Sequence, residues 1–236
     1  MPKLHIIHGS LKTMHLLSVN VSKPKLRRFK LKFFSSAFLK KPVSGSIVVN
    51  KENIKGDRQA DLMNHGGLDK AVFGFSTNHY EHWKRQLNLD HVKFGKFGEN
   101  LSITGLDESI IAIGDRLQIN DCILEVSQPR IPCFKIGFIF KEVSMLNKFI
   151  AHGRTGVYFR VIQPGTIAAD TEVTIIHKHP ANVTVRDVFL AQYDSKFADK
   201  EKVMRAAVEL PELAEAWKVK IADRLHMMDI TNMRRK

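Results

Sequence analysis

Over its first three-quarters the chain alternates apolar and polar residues in short runs. The first is His15-Leu16-Leu17-Ser18-Val19-Asn20-Val21, and further runs at 46–50, 71–76, 100–103, 116–119, 122–127, 156–162 and 172–177 read as strands. Asn120-Asp121 separates two of these runs and predicts a hairpin, and Gln163-Pro164-Gly165-Thr166 predicts another turn. Short strands at irregular spacing suggest a barrel rather than a βαβ sheet. Two helices interrupt them. Thr77 is placed to cap one over 79–87, and the other begins at Ser144 and ends at Gly153, a C′ glycine.

After Pro180 the pattern changes to helical. Thr184 is placed to cap a helix through Tyr193, and Asp199 a second up to Leu210. Pro211 fits the first turn of a third that runs to Leu225, with Leu213, Trp217 and Ile221 four apart on one stripe. The expected fold is mainly β with helices: a β-barrel over 14–180, then a small all-α domain over 181–236 ending in a basic tail. Three short helices bury little alone, so this unit is expected to pack on the barrel. Residues 1–13 precede the first periodic strand, with Met14 directly before it, and are expected to be a dispensable leader.

The chain has 236 residues, 44% of them hydrophobic, enough for one sizeable core with a small appendage. It contains no apolar run of about 18 residues, so no membrane span or membrane partner is expected. Two cysteines without a secretory signal point to the cytoplasm. Net charge is +13, much of it local: Lys23, Lys25, Arg27, Arg28, Lys30, Lys32, Lys40 and Lys41 fall in one early segment. Such charge first suggests nucleic acid. A solvated face is the plainer reading, and the aromatics are not read as interleaved with cations in a stacking run.

Candidate chemistry centres on Cys133 in Ser127-Gln128-Pro129-Arg130-Ile131-Pro132-Cys133-Phe134-Lys135. Two prolines force the chain out of its sheet there, and the Arg130 and Lys135 cations favour the thiolate, which is both nucleophile and soft metal ligand. Cys122 is in phase with Leu124 and Val126 and reads as a small buried hydrophobe. Gly56–Ala71 packs Arg58, His65 and Lys70 around the Gly66-Gly67 pair, a pattern open to an anion or to a plain surface turn. Glu99-Asn100 at a strand entrance and Arg154 between two glycines are weaker signals. His79 and His82 share a helical face but lack further ligands nearby, so zinc is set aside. No Walker A, GxGxxG or G-x-S-x-G run occurs.

The runs KPVSG (41–45), GDRQADLMNHGGLDKAV (56–72), FGENL (97–101), SQPRIPC-K-IG (127–137) and GRTGVYFRV--PG (153–165) together resemble MOSC domains, in particular the YiiM-like subgroup that appends three C-terminal helices. The resemblance covers roughly residues 14–225. It implies a MOSC-type β-barrel that binds the molybdenum cofactor, a pyranopterin-bound molybdenum, with the Cys133 thiolate as metal ligand and catalytic centre. It implies that Arg58 meets the phosphate end of the cofactor, with Lys41 and Ser44 in the neighbouring motif. His65, Lys70, Glu99, Asn100, Arg130 and Arg154 match positions that line the pocket.

The implied activity is reduction of N-hydroxylated small molecules such as hydroxylaminopurines or amidoximes. The chain has too few cysteines for an iron–sulfur cluster, so electrons are expected from a separate reductase. The lysine-rich stretch 23–32 and Phe134 depart from what the motifs require. A sulfur-transfer module carrying a Cys133 persulfide and a basic nucleic-acid-binding protein are the competing readings. A homodimer is compatible with the sequence.

Overall fold

The computed structural model describes residues 13–29, 32–61 and 66–233. Its strands are β1 (Met14–Val21), β2 (Lys25–Phe29), β3 (Lys32–Ser36), β4 (Lys41–Pro42), β5 (Ile47–Val49), β6 (Val72–Ser76), β7 (Leu101–Thr104), β8 (Arg116–Ile119), β9 (Cys122–Pro129), β10 (Val157–Gln163), β11 (Gly165–Ile167) and β12 (Thr171–His177). Strands β12, β8, β9, β10, β6, β7 and β1 are bonded in that order, and β1 returns to β12, which closes a seven-stranded barrel. Closure removes the open edges that an alternating sheet would otherwise expose.

One seam differs from the rest. β6 and β7 pair in parallel, whereas the other barrel neighbours are antiparallel. A parallel pair needs a crossover of about a dozen residues or more. The chain supplies it between Ser76 and Leu101 with a 3-10 turn, Thr77–His79, and the helix α1 (Tyr80–Gln86). Helices α2 (Lys135–Phe140) and α3 (Met145–His152) follow β9. Phe73, Phe75, Tyr80, Trp83, Phe97, Ile136, Met145 and Phe149 gather there into an aromatic core separate from the main one.

The last helices are α4 (Val185–Tyr193), α5 (Lys200–Val208) and α6 (Glu215–Met233). Val188, Phe189, Met204, Ala207, Trp217, Ile221 and Leu225 join the same apolar cluster as the barrel residues Leu16, Ile103, Leu124 and Phe159. The Thr184 side chain accepts from the Asp187 N–H at 3.1 Å and caps α4.

Several expectations need correction. Thr77 caps nothing: it lies inside the 3-10 turn, and α1 begins three residues later. Pro211 stands in a turn ahead of α6, which starts at Glu215 and runs on past Leu225. The hairpin β2–β3 was hidden by its cations, β4 is only two residues long, and Gly165 and Thr166, taken for part of a turn, belong to β11, which pairs with β5. In the hairpin the Arg28 guanidinium lies 5.7 Å from the Phe33 ring centroid. Cations and aromatics are therefore interleaved after all, because strand pairing sets Arg28 opposite Phe33. Residues 1–12, the expected leader short of Thr13, lie outside the described residues.

Candidate functional site

β9 ends at Pro129, which still pairs with Val157, and the chain then leaves the sheet. The Arg130 N–H donates to the Gly156 carbonyl at 3.1 Å, and Thr155 Oγ1 donates to the Arg130 carbonyl at 2.7 Å. The Cys133 carbonyl accepts from the Ile136 N–H at 3.0 Å as α2 begins. These bonds fix both ends of the segment that carries the half-buried Cys133. Gly156 is required here. Its φ is 94°, and a Cβ would stand 2.5 Å from Phe73 Cε2 and 2.8 Å from the Gly74 carbonyl oxygen.

A cleft of about 680 Å³, counted with its open mouth, lies between this segment and residues 36–40, 57–61 and 97–100. Cys133, Arg130, Arg58, Lys70, Lys40 and Lys135 line it together with Asp57, Asp61, Asn100, Phe38, Phe73 and Tyr158. Arg130 is 5% exposed. Its guanidinium is 4.9, 5.2 and 5.4 Å from the ring centroids of Phe73, Phe38 and Phe149. Burial pushes its pKa down, against the pull of Tyr158, Cys133 and Glu99. Arg130 Nη1 is buried without a hydrogen-bond partner among the described residues. A buried donor of this kind is costly to leave unmade and favours an anion brought into the cleft.

The other cations are tuned differently. Lys40 Nζ lies 2.5 Å from both Asp57 carboxylate oxygens, and burial pushes its pKa down while Asp57 opposes. Asp57 also accepts from the Ser22 N–H at 2.7 Å and Asn100 Nδ2 at 2.9 Å. Burial also pushes Lys70 down, opposed by Asp69 and Asp61. The neighbouring Asp69 is gripped by Arg160 Nε at 2.9 Å and Nη2 at 2.6 Å, which steadies the loop that presents Lys70. Arg58 is exposed, with its backbone N–H tied to the Ser22 carbonyl at 2.9 Å.

The residues singled out from the sequence therefore divide. Cys133, Arg58, Lys70, Asn100 and Arg130 meet at the cleft. Asn100 is committed to its neighbours, since Oδ1 accepts from the Phe73 N–H at 3.1 Å and Nδ2 donates to Asp57 and to the Asn20 carbonyl. Glu99 is buried and not among the lining residues. Its carboxylate accepts from the Gly95 and Phe97 N–H groups at 2.8 and 2.9 Å, Ser102 Oγ at 3.1 Å and the Tyr80 hydroxyl, so it fastens the 95–97 loop. Arg154 bonds Asp107 Oδ1 at 2.5 Å, away from the lining residues. Lys41 and Ser44 are exposed and also outside the lining. His65 lies outside the described residues.

Sequence reasoning missed Lys40, one residue from Lys41, together with Asp57, Phe38 and Tyr158. The adjacent lysines gave no signal of which one faces inward. The histidines His79 and His82 are joined by His152, whose ring stacks on His82 at 4.1 Å, while His79 Nε2 is 2.9 Å from Glu108 Oε2. Among the described residues no three His, Cys, Asp or Glu side chains are grouped to hold a metal ion. None of the described helices is long and apolar enough to cross a membrane.

Comparison with known proteins agrees with this architecture. The MOSC domain matches residues 61–174. The uncharacterized protein YflK of Bacillus subtilis is 33% identical over 215 residues, spanning 89% of this chain and 95% of that protein. A protein named Reductase from Gibberella moniliformis is 32% identical over 147 residues, which are 61% of this chain and 26% of that protein. The crystal structure of YiiM from Geobacillus stearothermophilus superposes with a TM-score of 0.75 at 26% identity, covering 90% of this chain and 99% of that one. Barrel, cleft motifs and C-terminal helices thus converge, and the chain belongs to the MOSC domain family, in its YiiM-like branch.

Proposed function

We propose that this protein is a molybdenum-cofactor-dependent reductase of N-hydroxylated small molecules. One observation carries the reading: a half-buried thiol, Cys133, shares a cationic cleft with a buried guanidinium that has an unpartnered N–H. MOSC domains as a class are associated with the molybdenum cofactor.

The residues present fit such a group. A soft thiolate suits molybdenum, but one thiol cannot hold a bare ion, so the metal must arrive with ligands of its own, as on a pyranopterin. Cys133 would hold the metal. Arg130 Nη1, Arg58, Lys70 and Lys135 would face the anionic parts of the cofactor. When bound, the group supplies a centre that accepts an oxygen atom and exchanges two electrons. The net reaction converts R–NHOH, two electrons and two protons to R–NH2 and water, with the N–O bond broken.

The chain's own side chains bind and orient. Phe38 and Tyr158, half-buried at the cleft, would offer aromatic surface to a heteroaromatic substrate. The Tyr158 phenol is pushed up by burial, against the pull of Arg130, and so keeps its proton as a hydrogen-bond donor. Lys135 also lines the cleft and would offer N–H donors to a substrate oxygen there.

The test is elemental analysis of protein made in a cofactor-competent host, followed by anaerobic turnover of 6-N-hydroxylaminopurine or an amidoxime with dithionite-reduced methyl viologen. Molybdenum near one per chain and formation of the amine or amidine are expected. A metal-free protein with a persulfide on Cys133 would replace this reading with sulfur transfer.

A further inference from the structure

The segment that carries Cys133 also carries apolar surface in water. Ile131 lines the cleft and is 40% exposed, and Phe134, on the other side of the thiol in sequence, is 60% exposed. Phe134 is held in place: its ring meets Phe138 of α2 edge-on at 5.4 Å, and Phe138 rests on Phe34 of β3 at 5.6 Å. Past the end of α2, in the connection to α3, Val143 is 98% exposed. A partner that covers both Ile131 and Phe134 sits over the residues between them, Pro132 and Cys133. Apolar side chains left in water along one short helix and its flanks have the composition of a recognition surface.

Lysines rim this surface. Phe134, Phe138 and Lys141 fall four and three residues apart, on one stripe of α2, and Lys141 is exposed where the helix ends. Lys96 Nζ stands 5.3 Å from the centroid of the Phe140 ring. Burial pushes the Lys96 pKa down, and Lys93 and Lys141 are close enough to push it further. The loop that presents Lys96 is pinned on both sides, since the Gly95 and Phe97 N–H groups donate to Glu99. Glu142, next to Lys141, is turned to Ser144 Oγ at 2.6 Å and Lys148 Nζ at 3.0 Å. Among the described residues none of Lys93, Lys96 and Lys141 forms an ion pair. Three like charges gathered in this way favour an acidic surface laid over them.

Resting on the reductase reading above, we infer that the face of α2 bearing Phe134 and Val143, with its rim of Lys93, Lys96 and Lys141, is the docking surface for an acidic flavin-carrying protein of the flavodoxin class. The reaction consumes two electrons per N–O bond, and the chain's two cysteines are too few for a cluster of its own. A flavin brings both electrons on one group: reduced flavin (FMNH2) and R–NHOH give oxidised flavin, R–NH2 and water. An iron–sulfur carrier of one electron would have to dock twice. A single-stranded nucleic acid would satisfy the lysines and stack on Phe134, but it would leave Ile131 and Val143 in water and bring no electrons.

The experiment uses full-length protein and the double variants K93E/K141E and F134S/V143S, each checked for a wild-type melting transition. Binding of a flavodoxin to the metal-free chain is measured by calorimetric titration at low and high salt, beside a plant-type ferredoxin and a single-stranded oligonucleotide. Turnover of the loaded chain is then measured with reduced flavodoxin and with dithionite-reduced methyl viologen, which needs no docking. Flavodoxin should bind the wild type in a salt-sensitive manner. Each variant should raise its Kd and KM by about tenfold or more while the viologen-driven rate stays within about twofold. No flavodoxin binding to the wild type, an unchanged Kd in either folded variant, or an equal loss of the viologen-driven rate would overturn the inference. So would tighter binding of the ferredoxin or the oligonucleotide that is lost in the same variants. If the loaded wild type turns over no substrate even with viologen, the reductase reading fails, and the titration with metal-free protein still decides the docking surface.

Discussion

The Arg130 guanidinium lies 4.9 Å from the centroid of the Phe73 ring. Phe73 is itself fixed by Asn100, whose Oδ1 accepts its N–H at 3.1 Å. Aromatic faces thus replace much of the water around a buried cation, but they do not satisfy its N–H groups. The arrangement keeps a charge in place for a ligand at some cost to the empty protein.

Replacing Arg130 by methionine separates these two effects. Metal-free protein should be as stable as the wild type or more so, because an incompletely paired buried charge is removed. Cofactor retention should fall by roughly 1.5–3 kcal/mol, the worth of a charge-assisted hydrogen bond. Thermal melting of metal-free protein and molybdenum content per chain check the two signs. A large drop in metal-free stability would assign Arg130 to the fold alone.

The two thiols should part company in reactivity. Cys122 is fully buried, and burial, together with Asp121, pushes its pKa up to about 12. Iodoacetamide at neutral pH should label one residue per native chain, Cys133. C133A should lose molybdenum retention while C122A keeps it. Mass spectrometry of the labelled protein and metal analysis read the outcome, and equal metal loss in two folded variants would contradict it.

The pair formed by Lys40 and Asp57 is nearly sealed from water, with side chains 8% and 2% exposed. Asp57→Ala leaves the Lys40 ammonium buried without its partner and should cost about 3–5 kcal/mol of stability. Adding Lys40→Met should recover much of that loss. Urea denaturation of the single and double variants measures the coupling. Additive losses would show that the two groups act independently.

His152 gives a pH signature. Its pKa is pushed down to about 4, first by burial and then by His82 and His79, and its Nε2 is buried without a partner among the described residues. The unfolded chain, with histidine near its ordinary 6.5, binds a proton that the folded chain resists. Stability should therefore fall as pH drops from about 6.5 toward 4. The groups facing His152 are His79 and His82 from the α1 side, with Glu108 and Arg154 nearby. His152→Phe should flatten that slope in melting curves taken across this window, and an unchanged slope would remove His152 from the account.

The barrel strands were legible because each half-buried strand alternates, as in Arg116–Ile119 with Leu117 and Ile119 inside. The hairpin Lys25–Ser36 was not, because its alternation sets cations against aromatics rather than apolar against polar. Cys133, Arg58, Lys70 and Arg130 were legible as types placed beside prolines and glycines. Lys40 was not, because choosing between adjacent lysines requires the backbone path. Glu99 looked like a pocket acceptor from its motif, but burial and four donors turn it inward to the 95–97 loop.

Ser127 links the C-terminal helices to the cleft. Its carbonyl accepts the Ala214 N–H at 3.0 Å, just ahead of α6, and its hydroxyl sits 2.6 Å from the Asp69 carbonyl and 3.0 Å from that of Tyr158. Lys70 and Tyr158, which both line the cleft, are thus hung from a point that the helices also hold. Loosening α6 releases a tether shared with the ligand-facing loops, so helices and barrel should melt as one cooperative unit, in a single calorimetric endotherm rather than two.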